Sequence, residues 1–250
     1  MNNQLTRRSA LTVTAAAAAF VLAACSENKN PDAGGSSSSA SSTASASSAS
    51  SASASAPANE VPAAQLETKL RDQDGYHLNK KLEGAPTVTL YTDFQCPYCK
   101  KGEPAYERAA RELEGTMNVT VKHFPLPSHQ YAVPAACAVQ AAEAQGKHMA
   151  MSQLVFARQD EWKNASDDKA VFAEHFAQYA QQLGLDEAKF RKDYYSDQNF
   201  ETIKKDFETG QKLGVNGTPS FVVNGKVLAH VESSTPTETM VEEFKKAAGL

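Results

Sequence analysis

The sequence predicts an α/β domain of about 190 residues whose strand and helix order is interrupted by an all-helical insertion. Three observations predict it. Two β-rich runs with apolar residues on alternate positions, 87–92 and 117–124, flank a short helical stretch. Between about 126 and 199, apolar residues recur at helical spacing. The chain then closes with an amphipathic helix, an Asn-Gly hairpin and a second amphipathic helix, which completes an α/β order.

The first quarter of the chain reads differently. Met1–Ala24 has a polar start with Arg7 and Arg8, an apolar stretch from Ala15 to Val21 and small residues before Cys25, the make-up of a secretory signal. That stretch is too short to span a membrane. Leu22-Ala23-Ala24-Cys25 resembles the lipobox of bacterial lipoproteins, which implies that Cys25 becomes the lipidated first residue of the mature chain. Arg7-Arg8 also resembles a twin-arginine export signal, from which Ala10 and Thr12 depart, so two export routes stay open. Residues 25–59 are dominated by Ser and Ala and cannot bury enough apolar surface to offset chain entropy, so they are expected to form a disordered tether. A linker of this length averages about a few tens of ångströms end to end. The domain proper is then residues 60–250.

Within it, Val88 and Leu90 alternate in the first β-run, Val119 and Val121 in the second, and Pro104 to Leu113 belongs to the helix between them. In the insertion, Ala135, Ala136, Val139 and Ala142 mark one helix up to Gly146. Phe172, Phe176, Tyr179 and Leu183 mark another up to Gly184, and Phe190 with Tyr194 a short third. Phe200, Ile203 and Phe207 form the expected apolar face of the next helix, which stops at Gly214. Asn224-Gly225 joins two apolar runs as a hairpin, and Met240, Val241 and Phe244 face the core from a last helix over Thr237–Ala248.

Four cysteines, at 25, 96, 99 and 137, are too few and too unevenly spaced for a disulfide-stapled scaffold. Cys96 and Cys99 stand one helical turn apart, close enough to close and reopen a small disulfide ring. The pair follows the first β-run directly, and Pro97 suits the first helical position because it needs no N–H partner there. This puts Cys96 at a helix start, where free N–H groups and the helix dipole favour an anion. Such settings commonly lower a cysteine pKa from about 8.5 to roughly 3.5–7.5. Cys96 is therefore the expected nucleophile, and Cys99, deeper in the helix, the resolving thiol.

Phe94-Gln95-Cys96-Pro97-Tyr98-Cys99, His123-Phe124-Pro125-Leu126 and Gly217-Thr218-Pro219-Ser220-Phe221, in that order over about residues 66–250, resemble the DsbA-like branch of the thioredoxin fold. The resemblance implies a thioredoxin fold with an inserted helical domain and a cis peptide bond before Pro219, which packs against the redox pair. It further implies that Thr218 offers its backbone to an extended substrate, and that Glu103 accepts the resolving cysteine's proton. The implied activity is thiol–disulfide exchange with exported proteins that carry cysteines, in the oxidising direction, with reoxidation by a membrane partner and no cofactor. The implied place is the periplasmic side of the cell envelope, on the outer membrane if the host has one, with the lipid on Cys25 as anchor.

Departures from the family matter too. Tyr98 stands where the most oxidising members have His, which implies a weaker oxidant. Leu90 lies where thioredoxin has a buried acid. The tether fills the space in which a dimerisation domain would lie, so a monomer is expected. A reductant serving one envelope client, or a surface lipoprotein that uses the fold only for binding, are the competing readings.

Other chemistry finds less support. A closed zinc site needs two further ligands at suitable spacing, and a haem attachment needs His where Lys100 stands. The tetrad Cys96-Pro97-Tyr98-Cys99 also resembles glutaredoxins, which lack both leader and insertion. Cys137, among Ala135, Ala136 and Ala138, is expected to pack as a small apolar side chain. The six histidines form no metal-ligand spacing, and a formal net charge of −4 with alternating lysines and acids carries no nucleic-acid footprint.

Overall fold

Among the described residues, β1 (Arg71–Asp72), β2 (Gly75–His77), β3 (Thr87–Thr92), β4 (Asn118–His123), β5 (Ser220–Val223) and β6 (Lys226–Val227) form one mixed sheet in the order β1-β2-β4-β3-β5-β6, accompanied by nine α-helices. The structure is a computed structural model and describes residues 71–250. The signal segment Met1–Ala24, the lipidation site Cys25 and the tether 25–59 lie outside the described residues.

The central strands are β3 (Thr87–Thr92) and β4 (Asn118–His123), which pair in parallel with Val88 opposite Val119 and Leu90 opposite Val121. A parallel pair needs a crossover, and α1 (Pro97–Glu112) supplies it. β5 (Ser220–Val223) joins β3 antiparallel, and β6 (Lys226–Val227) folds back on it through Asn224-Gly225. Asn224 at φ 50° and Gly225 at φ 73° take the left-handed conformations that a two-residue hairpin turn requires.

Period-two alternation divides the sheet's contacts between its faces. Val88, Leu90, Val119, Val121, Phe221 and Val223 pack with α1 and with α9 (Thr237–Ala248) on one side. Tyr91, Phe124 and Val222 meet the residues of α8 (Asp197–Lys212) on the other. There the helix comes so near that a Cβ at position 210 would sit 2.8 Å from both Tyr91 and Phe124, so glycine is required for the approach.

Between β4 and α8 the chain is helical: α2 (Ala132–Glu143), α3 (His148–Ala157), α4 (Gln159–Trp162), α5 (Asp168–Val171), a π-helical turn over Phe172–Phe176, α6 (Ala177–Gln182) and α7 (Glu187–Tyr194). Asp167, Asp186 and Ser196 cap the helices that follow them by accepting from backbone N–H groups. Val139, Trp162, Phe172, Phe176, Tyr179 and Phe190 form the buried centre of this block. Phe94, Cys96 and Cys99 pack into that same cluster, so the two cysteines sit where the sheet meets the insertion.

Two features differ from the sequence-based expectation. β1 (Arg71–Asp72) and β2 (Gly75–His77) extend the sheet beyond β4, yet they are too short to show any periodicity. Phe200, expected in the core, is half exposed, because the apolar side of α8 is carried by Ile203 and Gly210 and the first turn opens onto a groove beside Tyr195.

Candidate redox site

Cys96 is the N-cap of α1, in extended conformation at φ −72° and ψ 122°, and Pro97 opens the helix. Its N–H donates to Asp93 O at 3.1 Å, and its carbonyl accepts from Lys100 N at 3.2 Å as the first bond of the helix. Cys96 is 3% exposed and Cys99 0%. Both are free thiols, and they are hydrogen-bonded to one another.

The electrostatics separate the two sulfurs. Cys96 is brought down to about 6, chiefly by the hydrogen bond from Cys99, against the opposing cost of burial. The Thr218 side chain and the backbone of Cys99 and Tyr98 lower it further. Burial drives Cys99 well above the ordinary thiol range, and the negative Cys96 sulfur adds to that. The Thr92 hydroxyl and the Asp93 backbone oppose it weakly.

The Thr218–Pro219 bond is cis, and in its thiol form Cys96 donates from Sγ to Thr218 O at 3.3 Å. Residues 218–219 therefore lie against the first cysteine. Tyr98, 63% exposed, is the prominent side chain beside the pair at the surface.

The loop that carries Cys96 is tied down at each residue. Asp93, whose side chain is fully buried, accepts from Gln95 N at 2.7 Å, Leu126 N at 2.8 Å and His129 Nδ1 at 2.7 Å. Gln95 Oε1 accepts from Tyr131 N at 2.6 Å. Gln159 of α4 donates to Phe94 O at 2.8 Å and Cys96 O at 3.1 Å.

Beneath the pair, Glu103 lines a cavity of about 30 Å³ with Thr92, Tyr106 and Glu107. Burial first, and then the charge and hydrogen bond of Glu107, raise Glu103 to about 8. Glu107 is itself held as an acceptor by Gln153 Nε2 at 2.7 Å. Glu103 Oε1 and Tyr106 OH are both buried with no protein partner. Thr92 thus touches Cys99 on one side and this cavity on the other. Raised to about 8, Glu103 can give a proton in one direction of exchange and take it back in the other.

Of the sequence-derived residues, the structure brings together Cys96, Cys99, Thr218 and Pro219, and sets Glu103 on the far side of Thr92 and Tyr106. Leu90 is a buried core residue of β3. Cys137 lies in α2 beside Tyr194 and Phe200, and burial pushes its thiol up to about 12. Among the described residues no group of three metal-ligating side chains is present. Asp93, His129, Thr92, Glu107 and Gln159 escaped the sequence reading. Asp93 stands three residues before the pair and could have been flagged by position, whereas Gln159 looks like any polar helix residue.

The family model described as Thioredoxin matches residues 81–243. Among curated proteins, 156 residues are 35% identical to part of the Na(+)/H(+) antiporter NhaA 3 of Salinispora tropica, covering 62% of this chain and 22% of that protein. The chain thus spans about a fifth of the length of that relative, and 22% of the similar antiporter of Salinispora arenicola. Among solved structures, a thioredoxin-like oxidoreductase from Silicibacter pomeroyi superimposes with TM-score 0.55 at 23% identity, covering 73% of this chain and 97% of that one. The thiol–disulfide oxidoreductase MdbA of Corynebacterium diphtheriae does so with TM-score 0.52 at 19% identity, covering 65% and 84%.

Proposed function

The chain belongs to the thioredoxin family, and from that premise we propose that it is an exported thiol–disulfide oxidoreductase that works through Cys96 and Cys99. The observation that carries this reading is the unequal pair: Cys96 ionised at the start of α1 and Cys99 buried and protonated behind it. A sulfur with pKa about 6 is a good leaving group, and the form that bears it as a thiolate is favoured, which makes the disulfide form an oxidant.

In the oxidising direction a substrate thiolate attacks Cys96 Sγ, the Cys96–Cys99 bond breaks, and Cys99 leaves with the electron pair. Cys99 then takes a proton, for which protonated Glu103 is the nearby source, by way of Thr92 and the cavity. A second substrate thiolate attacks the substrate sulfur of the mixed disulfide and releases Cys96 as a thiolate. The substrate is oxidised by two electrons and the protein is left as a dithiol.

Clients are exported proteins with cysteines, which lie against Thr218-Pro219 while bonded to Cys96. A membrane partner restores the disulfide, and the chain acts as a monomer on the periplasmic side of the envelope. Met1–Ala24 supports export, and Leu22-Ala23-Ala24-Cys25 supports a lipid anchor on Cys25. The antiport activity named for the relatives belongs to proteins of which this chain matches 22% of the length.

Cys99→Ala is expected to accumulate mixed disulfides on Cys96 in cells, and mass spectrometry of the trapped partners identifies the clients. Equilibration of the parent with glutathione fixes the direction. A potential above about −200 mV supports the oxidant, and one near thioredoxin's, about −270 mV, assigns the reductive role.

A further inference from the structure

We infer that Gln159, supplied by the helical insertion, is a positioning residue for the redox pair: its carboxamide holds the carbonyls of Phe94 and Cys96 and so fixes the helix start that stabilises the Cys96 thiolate. The inference rests on the reading of Cys96 and Cys99 as an exchanging pair and adds to it a residue from outside the sheet domain.

The contact is specific. Gln159 is buried, and both of its bonds run to carbonyl oxygens, at 2.8 Å and 3.1 Å, so only the NH₂ side of the amide can face them. The two carbonyls flank Gln95 at the turn into α1. Holding both restricts the backbone torsions of Cys96, and these torsions set where its sulfur lies, at the start of α1 and against Thr218 O.

Gln159 is itself anchored. Its carbonyl accepts from Lys163 N at 3.1 Å, and the wholly buried Trp162 in the same helical turn donates from Nε1 to Val155 O at 2.8 Å. The next residue, Asp160, accepts from Lys100 Nζ at 2.9 Å. This one turn of helix therefore grips the Cys96–Lys100 turn at two points.

Loss of the carboxamide removes a donor from Phe94 O, leaves Cys96 O with Lys100 N alone, and frees the torsions of Cys96. In the full chain, Gln159→Met is expected to shift the equilibrium with glutathione about tenfold away from the dithiol, the worth of one buried hydrogen bond. The thiolate absorbance of Cys96 then titrates at higher pH. Gln159→Glu sets a carboxylate against the same carbonyls and near the thiolate, and its shift is expected to be larger. A residue that merely stabilises the fold lowers the melting temperature of both variants and leaves these two quantities at the parent's values.

That result, in folded variants, overturns the inference. If neither variant folds, the parent decides: the side-chain amide resonance of Gln159 is expected to follow the ionisation of Cys96, and a resonance that stays flat across it overturns the proposal. A parent that exchanges with glutathione while the variants match it sinks only the role of Gln159. A parent that does not exchange at all sinks the redox reading itself.

Discussion

Cys96→Ser is expected to bring dithiol oxidation and insulin reduction down to the uncatalysed rate, the largest effect of any single change in this protein. The loss is complete because, among the described residues, no other sulfur can take the role. Cys99 is buried and held protonated, and Cys137 lies in α2 with its thiol raised to about 12, so neither presents a thiolate at neutral pH. A serine hydroxyl at the start of α1 keeps the cap but cannot form the mixed disulfide. Cys99→Ser differs in kind: attack on Cys96 still occurs, and the reaction stops at the mixed disulfide. Cys137→Ser is expected to exchange at the parent's rate. Stopped assays with a two-cysteine peptide separate the three variants, and equal rates for Cys96→Ser and the parent would favour a protein that uses this fold for binding alone.

The second large effect is expected at Asp93. Its carboxylate, buried beneath the loop, is the common acceptor for Gln95 N, Leu126 N and His129 Nδ1. Asp93→Ala removes the acceptor and leaves three donors facing a space that water does not readily fill. Each buried donor left without an acceptor costs roughly 1–3 kcal/mol. Against a typical total of about 5–15 kcal/mol, that is a large share of the stability. Urea denaturation of the disulfide form, followed by circular dichroism, measures it. Asp93→Asn retains an oxygen for one or two of the donors and is expected to lose less. Because the three donors come from the loop itself, from the chain after β4 and from the segment before α2, the damage falls on the docking of the insertion onto the sheet domain. A loss below about 1 kcal/mol for Asp93→Ala, the level of an ordinary net hydrogen bond, would show that the loop is held by its other contacts.

The main elements of this fold are visible in the chain because each carries a strong local signal. Alternation at Val88/Leu90 and Val119/Val121 marks the central strands, Asn224-Gly225 marks the hairpin, and helical spacing marks the insertion. β2 is held by its register with β4, and β1 by its pairing with β2 and the buried ion pair of Arg71 with Asp206; the β4 register and the ion pair are long-range causes that no window of sequence displays. Phe200 shows the opposite error, since helical spacing places it with Ile203, but the surface that α8 buries begins a turn later.

The site divides along the same line. Cys96, Cys99, Thr218 and Pro219 are legible because they sit in short motifs with a stated chemistry. The residues that set the pair's surroundings act across 36 positions in the case of His129 on Asp93, and 63 in the case of Gln159 on Cys96. Single glutamines and histidines in helical sequence carry no mark of such a partner. Glu103 shows a further limit: its position was readable, but the protonation that decides whether it gives or takes a proton comes from burial and from Glu107.

The most direct test of the account is the titration of Cys96 by thiolate absorbance in the reduced protein, with the loss of the signal in Cys96→Ser assigning it. A midpoint near 6 is expected. Because this pKa is lower in the folded chain than in the unfolded one, the reduced form gains stability that is fully present above the unfolded thiol pKa of about 8.5 and is lost as pH falls through about 6. The disulfide form has no thiol at this position and shows no such loss. A midpoint at about 8.5, with reduced and oxidised forms losing stability in parallel, would contradict the claim that Cys99 and the start of α1 together hold the first sulfur as an anion.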